Sequence, residues 1–218
     1  MTTLAVVSAG LRSPSTTRML ADDLAAQARN ALLSGGVRDA EVVHFEVRDH
    51  AHALADALLT GFPTGGLKEA LASVAAADGL IVVTPTFGAS FSGLFKTFFD
   101  VLEPDALRGK PVLLAATGGT ERHSLMLEHA LRPLFSYLGA EPVRTAVYAA
   151  TADFGGTESP DLAARVVRAG AELAAALAAT GAAPRPAPHL GEATDPDLPA
   201  GFVPFDQLLK PAVRARRD

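Results

Sequence analysis

The sequence predicts an α/β domain built on a doubly wound, five-stranded parallel sheet with strand order 2-1-3-4-5. Three observations carry that expectation. Short apolar runs alternate with segments whose apolar residues recur at helical spacing, as strands alternating with helices require. The runs beginning at Leu4, Leu80 and Pro111 end among glycine, proline, serine or threonine, the residues that turn a chain. The runs are nearly all apolar, which suits strands covered on both faces. Right-handed crossovers between such strands put helices on both sides of one sheet.

The elements follow in order. Leu4–Ser8 reads as the first strand and runs into Ser8-Ala9-Gly10. From Ser15 to Leu33 the positions Met19, Leu20, Leu24, Ala28 and Leu32 mark a helix, stopped by Gly35-Gly36. Glu41–Phe45 is the second strand. The His- and Ala-rich stretch to Gly66 is ambiguous and partly helical, and Leu67–Ala77 is a helix. Leu80–Thr84 is the clearest strand, closed by Pro85, with a helix from Ser92 to Leu102. Pro111–Ala116 is the fourth strand, ending at Gly118-Gly119, and Ser124–Leu138 the next helix. Pro142–Ala149 is the fifth strand, and an Ala-rich helix runs from Asp161 to Thr180.

Residues 1–181 are thus expected to form one domain. Residues 182–218 form a Pro-rich tail that is a poor core former. Two readings stand for it: a disordered tail, or a segment that docks Phe202-Val203-Pro204-Phe205 on a neighbouring subunit.

Composition bounds the function. Apolar residues make up 49% and charged residues 20% of the chain, and the mean hydropathy is slightly positive, as in a compact globular domain. A net charge of −5 gives no reason to expect nucleic acid or an anionic membrane as partner. The chain has no cysteine, so disulfides, thiolate catalysis and Cys-ligated metals are excluded. No apolar stretch reaches the roughly 18 residues of a spanning helix, and the N-terminal segment lacks a basic region before its short apolar run. A cytoplasmic location is expected.

Three loops concentrate the unusual residues, and they follow strands one, three and four. With order 2-1-3-4-5 those strand ends are neighbours, at the carboxyl edge where ligands of such sheets bind. The first loop carries Ser8, Arg12, Ser15, Thr16 and Thr17 and opens a helix. A helix N-terminus with hydroxyls and an arginine suits a phosphate monoester. Plain N-capping by serine or threonine is the alternative. The second loop, Pro85, Thr86, Phe87, Gly88 and Ser90, offers a ring, close backbone approach and two hydroxyls for a flat heterocycle, or an ordinary turn with Ser92 as N-cap. In the third, Thr117, Gly118, Gly119 and Thr120 let backbone N–H groups reach a ligand, or make a tight turn.

Together the loops resemble those of the NAD(P)H-dependent FMN reductase family of the flavodoxin-like fold. The likeness is greatest to the FMN reductases of two-component alkanesulfonate monooxygenase systems. It runs from Leu4 to Tyr148 and rests on Asp78-Gly-Leu-Ile-Val-Val-Thr-Pro85, Ser92-Gly-Leu-Phe-Lys-Thr97, Ala116-Thr-Gly-Gly-Thr120 with His123, and Ala130-Leu-Arg-Pro-Leu134. The resemblance implies that Arg12, Ser15, Thr16 and Thr17 take the flavin phosphate. Pro85 to Ser90 would lie along the isoalloxazine, and Thr117 to Thr120 would border its pyrimidine side. Two residues depart from the family: Ala9-Gly10 stands where Gly-Ser is common, and Phe87 replaces a usual tyrosine.

The resemblance further implies FMN as cofactor, NAD(P)H as co-substrate and a homodimer or homotetramer with helix 124–138 at an interface. It also implies a flavin-dependent monooxygenase as partner. In the sulfonate-linked relatives that helix can carry an inserted tyrosine that tunes flavin transfer; His129 stands at the matching place, as a variant of that residue or as a surface or interface histidine without that role. No acid–base residue is required, since hydride passes from nicotinamide C4 to flavin N5 and the protein supplies position and electrostatics. The alternatives are a quinone or azo reductase that retains its flavin and, in a different class, a flavodoxin-type electron carrier.

Other polar residues point elsewhere. His44, His50 and His52 lack the spacing of a metal site, and His189 is isolated. Asp100, Glu103 and Asp105 read as the solvated end of a helix. No 2′-phosphate site stands out, Arg122 and Arg132 being the cations near the third loop.

Overall fold

The computed structural model describes residues 1–154 and 160–180; the expectation for the tail lies outside them. Five strands run parallel in the core: β1 (Thr2–Ser8), β2 (Ala40–Glu46), β3 (Gly79–Phe87), β5 (Pro111–Gly118) and β7 (Val147–Ala150). The short β4 (Ser90–Phe91) turns back on β3, and the short β6 (Glu141–Pro142) pairs with the start of β5. The order β2-β1-β3-β5, with β6 and β7 both beside β5, is the flavodoxin-like order expected.

Alternate residues of each strand face opposite ways, and the core divides accordingly. Leu4 and Val6 of β1 and Ile81 and Val83 of β3 meet α1 (Thr16–Ser34) and α6 (Pro160–Thr180) through Leu20, Leu24, Ala28, Ala169 and Leu173. Ala5, Val7, Leu80 and Val82 meet the other layer: α2 (Ala51–Thr60), α3 (Gly65–Ala76), α4 (Gly93–Asp100) and α5 (Arg132–Tyr137). The ambiguous stretch before Gly66 is therefore α2. Phe95, Phe98, Phe99 and Phe135 form a buried aromatic cluster in that layer, with centroids of Phe95–Phe99 at 4.8 Å and Phe99–Phe135 at 4.9 Å.

Two elements differ from expectation. The predicted strand Pro142–Ala149 is broken, because side chains occupy the backbone between β6 and β7. Arg132 donates to the carbonyls of Val143 and Arg144, and Glu172 accepts from the N–H and hydroxyl of Thr145. The predicted helix Ser124–Leu138 follows a 3₁₀ turn (Glu121–His123) and is itself a turn, a π turn (Leu127–Leu131) and then α5. Pro133 has no N–H and its ring would strike the carbonyl four residues back. The turn widens there, and the N–H of Arg132 reaches Leu127 O, the wider ring of a π turn.

Candidate functional site

The carboxyl ends of β1, β3 and β5 lie side by side, with Ser8 opposite Val83 and Pro85 opposite Thr117. The three loops predicted to converge therefore emerge together. Side chains also join them. Thr17 Oγ1 and Thr117 Oγ1 are 2.8 Å apart in a buried hydrogen bond between the first and third loops. The Tyr148 hydroxyl donates to Thr120 O at 3.1 Å and accepts from Thr86 Oγ1 at 3.4 Å, linking the third loop to the second.

The first loop is a nest of backbone donors. Ala9 N–H is bound to Val83 O. From Gly10 to Thr17, Pro14 aside, no backbone N–H has an acceptor among the described residues. A Cβ on Gly10 would sit 2.0 Å from Ser15 Oγ, so only glycine lets the loop fold this tightly over the start of α1. The Ser13–Pro14 peptide is cis. Unpartnered N–H groups at the positive end of a 19-residue helix attract an anion. The Arg12 side chain beside them is exposed and forms no ion pair with the described residues.

The hydroxyls of this loop are less free than their number suggests. Ser15 is the N-cap of α1, accepting from Arg18 N at 3.2 Å, so the capping alternative holds for it. Thr17 is buried and spent on Thr117, while Thr16 is exposed. Ser8, expected at the ligand, is 1% exposed and donates to Glu46 Oε1 at 3.1 Å. That happens because parallel pairing sets Ser8 beside Glu46 at the end of β2. Glu46 also accepts from Arg18 Nη1 at 2.7 Å, and Arg48 holds the carbonyl of Arg12 at 3.0 Å. Glu46 and Arg48 brace the first loop from below, a role sequence reasoning missed because their partners are distant in the chain.

The second loop is a hairpin. Thr86 pairs with Phe91 and Phe87 with Ser90 around Gly88 and Ala89, both at positive φ, 55° and 62°. Two such residues make the type I′ turn that joins tight antiparallel strands. Phe87, Gly88 and Ala89 are exposed, and Pro85, Thr86 and Ser90 half-buried. Thr84 fixes the base of the hairpin by accepting from Ser92 N, and Ser92 caps α4. Here the turn with its N-cap and an exposed ring coexist.

In the third loop the two glycines differ. Gly119 is exposed and a Cβ there would meet nothing within 4 Å. A Cβ on Gly118 would lie 2.0 Å from the Tyr148 hydroxyl and 3.3 Å from Thr86 Oγ1. Gly118 is thus required by the tyrosine. The N–H groups of Gly119, Thr120 and Glu121 have no acceptor among the described residues.

The profile of the NADPH-dependent FMN reductase family matches residues 2–154. The chain belongs to that family. Membership makes it a flavin oxidoreductase that works with FMN and NAD(P)H. The FMN reductase (NADPH) of Pseudomonas aeruginosa is 41% identical over 173 residues, 78% of this chain and 89% of that one. The NADH-dependent FMN reductase SfnF of Pseudomonas fluorescens is likewise 41% identical, over 176 residues, 80% of this chain and 90% of that one. An oxidoreductase of Corynebacterium diphtheriae superposes with a TM-score of 0.78 at 46% identity, over 82% of this chain and 98% of that one.

The remaining charged residues stay outside the three loops. Arg132 is committed to Glu128 and two carbonyls and holds the Glu128 carboxyl below its usual range. Arg122 and His129 are exposed, the latter within the π turn. Asp100 pairs with Lys96 and Asp105 with Arg108, on the surface. His44 packs beside Arg18 and Asp22, and among the described residues no group of three histidines or acids is poised for a metal. No helix there is long and apolar enough to cross a membrane.

Proposed function

We propose that the three loops form one FMN site in which NAD(P)H reduces the flavin. The observation that carries this reading is the first loop's run of unpartnered N–H groups over α1, tied by Thr17 and Thr117 to the third loop. The donors suit a phosphate dianion, and Gly10, whose Cβ would strike Ser15 Oγ, lets the loop fold close over the start of α1. Arg12, Thr16 and the N–H groups of Ser15 to Thr17 hold the phosphate. Pro85, Thr86, Phe87, Gly88 and Ser90 line the ring, and Thr117 to Thr120 border the pyrimidine side.

Bound FMN supplies the hydride acceptor, N5, for nicotinamide C4. The chain's own residues bind and orient: Arg12 neutralises the phosphate, and the exposed Phe87 ring and the hairpin backbone give the flat face its apolar contact. The N–H groups after Gly118 would meet negative charge developing at flavin N1 and O2, where preorganised donors act.

Reduced flavin is the product, delivered in the cytoplasm to a flavin-dependent monooxygenase. The chain acts as a homodimer or homotetramer through the segment around α5, where Leu125 and Tyr137 are 64% and 88% exposed. Relatives named for NADPH and for NADH are equally similar, so either nicotinamide serves as the starting assay substrate.

The test is aerobic oxidation of NADH and NADPH with and without added FMN, together with the visible spectrum of purified protein. Turnover that depends on added FMN supports this function. A yellow protein whose turnover needs only a quinone or azo dye replaces it with the flavin-retaining reductase. Tight FMN without NAD(P)H oxidation would indicate an electron carrier, a class disfavoured by the single exposed ring of Phe87 at the site.

A further inference from the structure

Tyr148 lies at the centre of the site, yet no step of the proposed chemistry uses it. It sits on β7, 3% exposed, with its hydroxyl between Thr86 and Thr120. The chain accommodates it by leaving out a side chain at Gly118, whose Cβ would fall 2.0 Å from that oxygen. A buried hydroxyl with a donor and an acceptor partner is a fixed point from which neighbouring groups take their direction.

The group that takes its direction here is the peptide between Thr120 and Glu121. Its carbonyl is held inward by the Tyr148 O–H. A trans peptide is planar, with its C=O and N–H antiparallel. The Glu121 N–H is therefore turned away from the buried tyrosine, and it has no acceptor among the described residues. Thr120 Oγ1, accepting from Arg122 N at 3.4 Å, fixes the next peptide. The orientation of this one donor is set by a residue 28 positions away in the sequence.

We propose that Tyr148 is a positioning residue that aims the Glu121 N–H at the pyrimidine side of FMN, so that the site favours reduced over oxidised flavin. The proposal rests on the reading that these loops hold FMN. Reduction places negative charge on the pyrimidine side, and a donor already oriented toward it stabilises that charge without reorganisation. The tyrosine acts through its neighbours: its O–H holds the Thr120 peptide, and its oxygen accepts from Thr86 Oγ1.

The test compares dissociation constants of oxidised FMN and, anaerobically, reduced FMN for the wild-type protein and Tyr148→Phe. The variant keeps the ring and removes the hydroxyl. Affinity for oxidised FMN falls by no more than about threefold, as for one neutral hydrogen bond, and affinity for reduced FMN by at least about tenfold. Gly118→Ala, which displaces the same hydroxyl, gives the same unequal loss. Equal losses for both redox states would reduce Tyr148 to a packing residue and overturn the proposal, as would unchanged affinities. Wild-type protein that binds neither form would instead remove the FMN reading itself.

Discussion

The close approach of Gly118 to Tyr148 gives a stability prediction that can be worked from distances. In Gly118→Ala the new methyl would lie 2.0 Å from the tyrosine oxygen and 3.1 Å from Cζ. The ring has little room to swing aside, being buried in the same cluster as Ala116, Ala150 and the core of the α2–α5 layer. Either the strand end or the ring must shift, an overpacking cost of about 1–3 kcal/mol. The hydrogen bond to Thr120 O is lost with it, at about 0.5–1.5 kcal/mol. Together the variant should be about 2–4 kcal/mol less stable, a fall in Tm on the order of 10 °C for a domain of this size. Gly118 does not have a positive φ, so no backbone strain contributes. Chemical denaturation of Gly118→Ala, Tyr148→Phe and the double variant separates the terms. With the hydroxyl gone the nearest atoms are at 3.1 and 3.3 Å, so the double variant should recover at least about 1 kcal/mol relative to additivity. A fully additive double variant, or Gly118→Ala as stable as wild type, would refute the reasoning.

Three further predictions test other parts of the molecule. Arg12→Ala should weaken FMN about tenfold or more while leaving riboflavin within about twofold, because a hydrogen bond to a charged group is worth about 1.5–3 kcal/mol; equal losses measured by flavin fluorescence titration would take Arg12 away from the phosphate. Lys110 is 3% exposed and donates to Val74 O and Ala75 O at the end of α3, so Lys110→Met should cost about 2–4 kcal/mol in urea unfolding by stranding those carbonyls, and an unchanged midpoint would contradict it. Burial, then the charge of Arg18, lower the pKa of His44 below its usual 6.5, against opposing attraction from Asp22 and Glu46. The unfolded chain thus takes up a proton near pH 6.5 that the folded state resists. Stability is full above that pH and declines as pH falls below it, with a shallower decline in His44→Gln; identical pH profiles would remove His44 as the cause.

The five core strands, their order and the convergence of three loops were legible because they depend on short-range signals: apolar runs, helical spacing and turn residues. The β4 hairpin was not, since Ser90-Phe91 is two residues long and Ala89 gives no sign of its positive φ. The interruption of the fifth strand was hidden for another reason. Arg132 and Glu172 capture its backbone from elements 11 and 27 residues away. The π turn had one visible cue, Pro133 inside an apparently continuous helix. Within the site, sequence showed which residue types were present and not how they were spent. Ser8, Ser15 and Thr17 looked equivalent to Thr16, but Glu46, Arg18 and Thr117 engage them first. Tyr148 carried no signal, as a tyrosine in an apolar strand reads as core until Thr86 and Thr120 are found beside its oxygen.

The placement of that tyrosine has a practical consequence. The chain contains no tryptophan and two tyrosines, and Tyr137 is 88% exposed. A ring free in solvent has little fixed asymmetry around it, whereas a packed one gives a near-ultraviolet dichroic band that vanishes when tertiary contacts loosen. In Tyr137→Phe, which removes the ring at the proposed subunit contact, the tyrosine band is therefore a single-residue reading taken where the second and third loops join. Ligand-induced or mutational disturbance of that junction can then be followed optically, with no label.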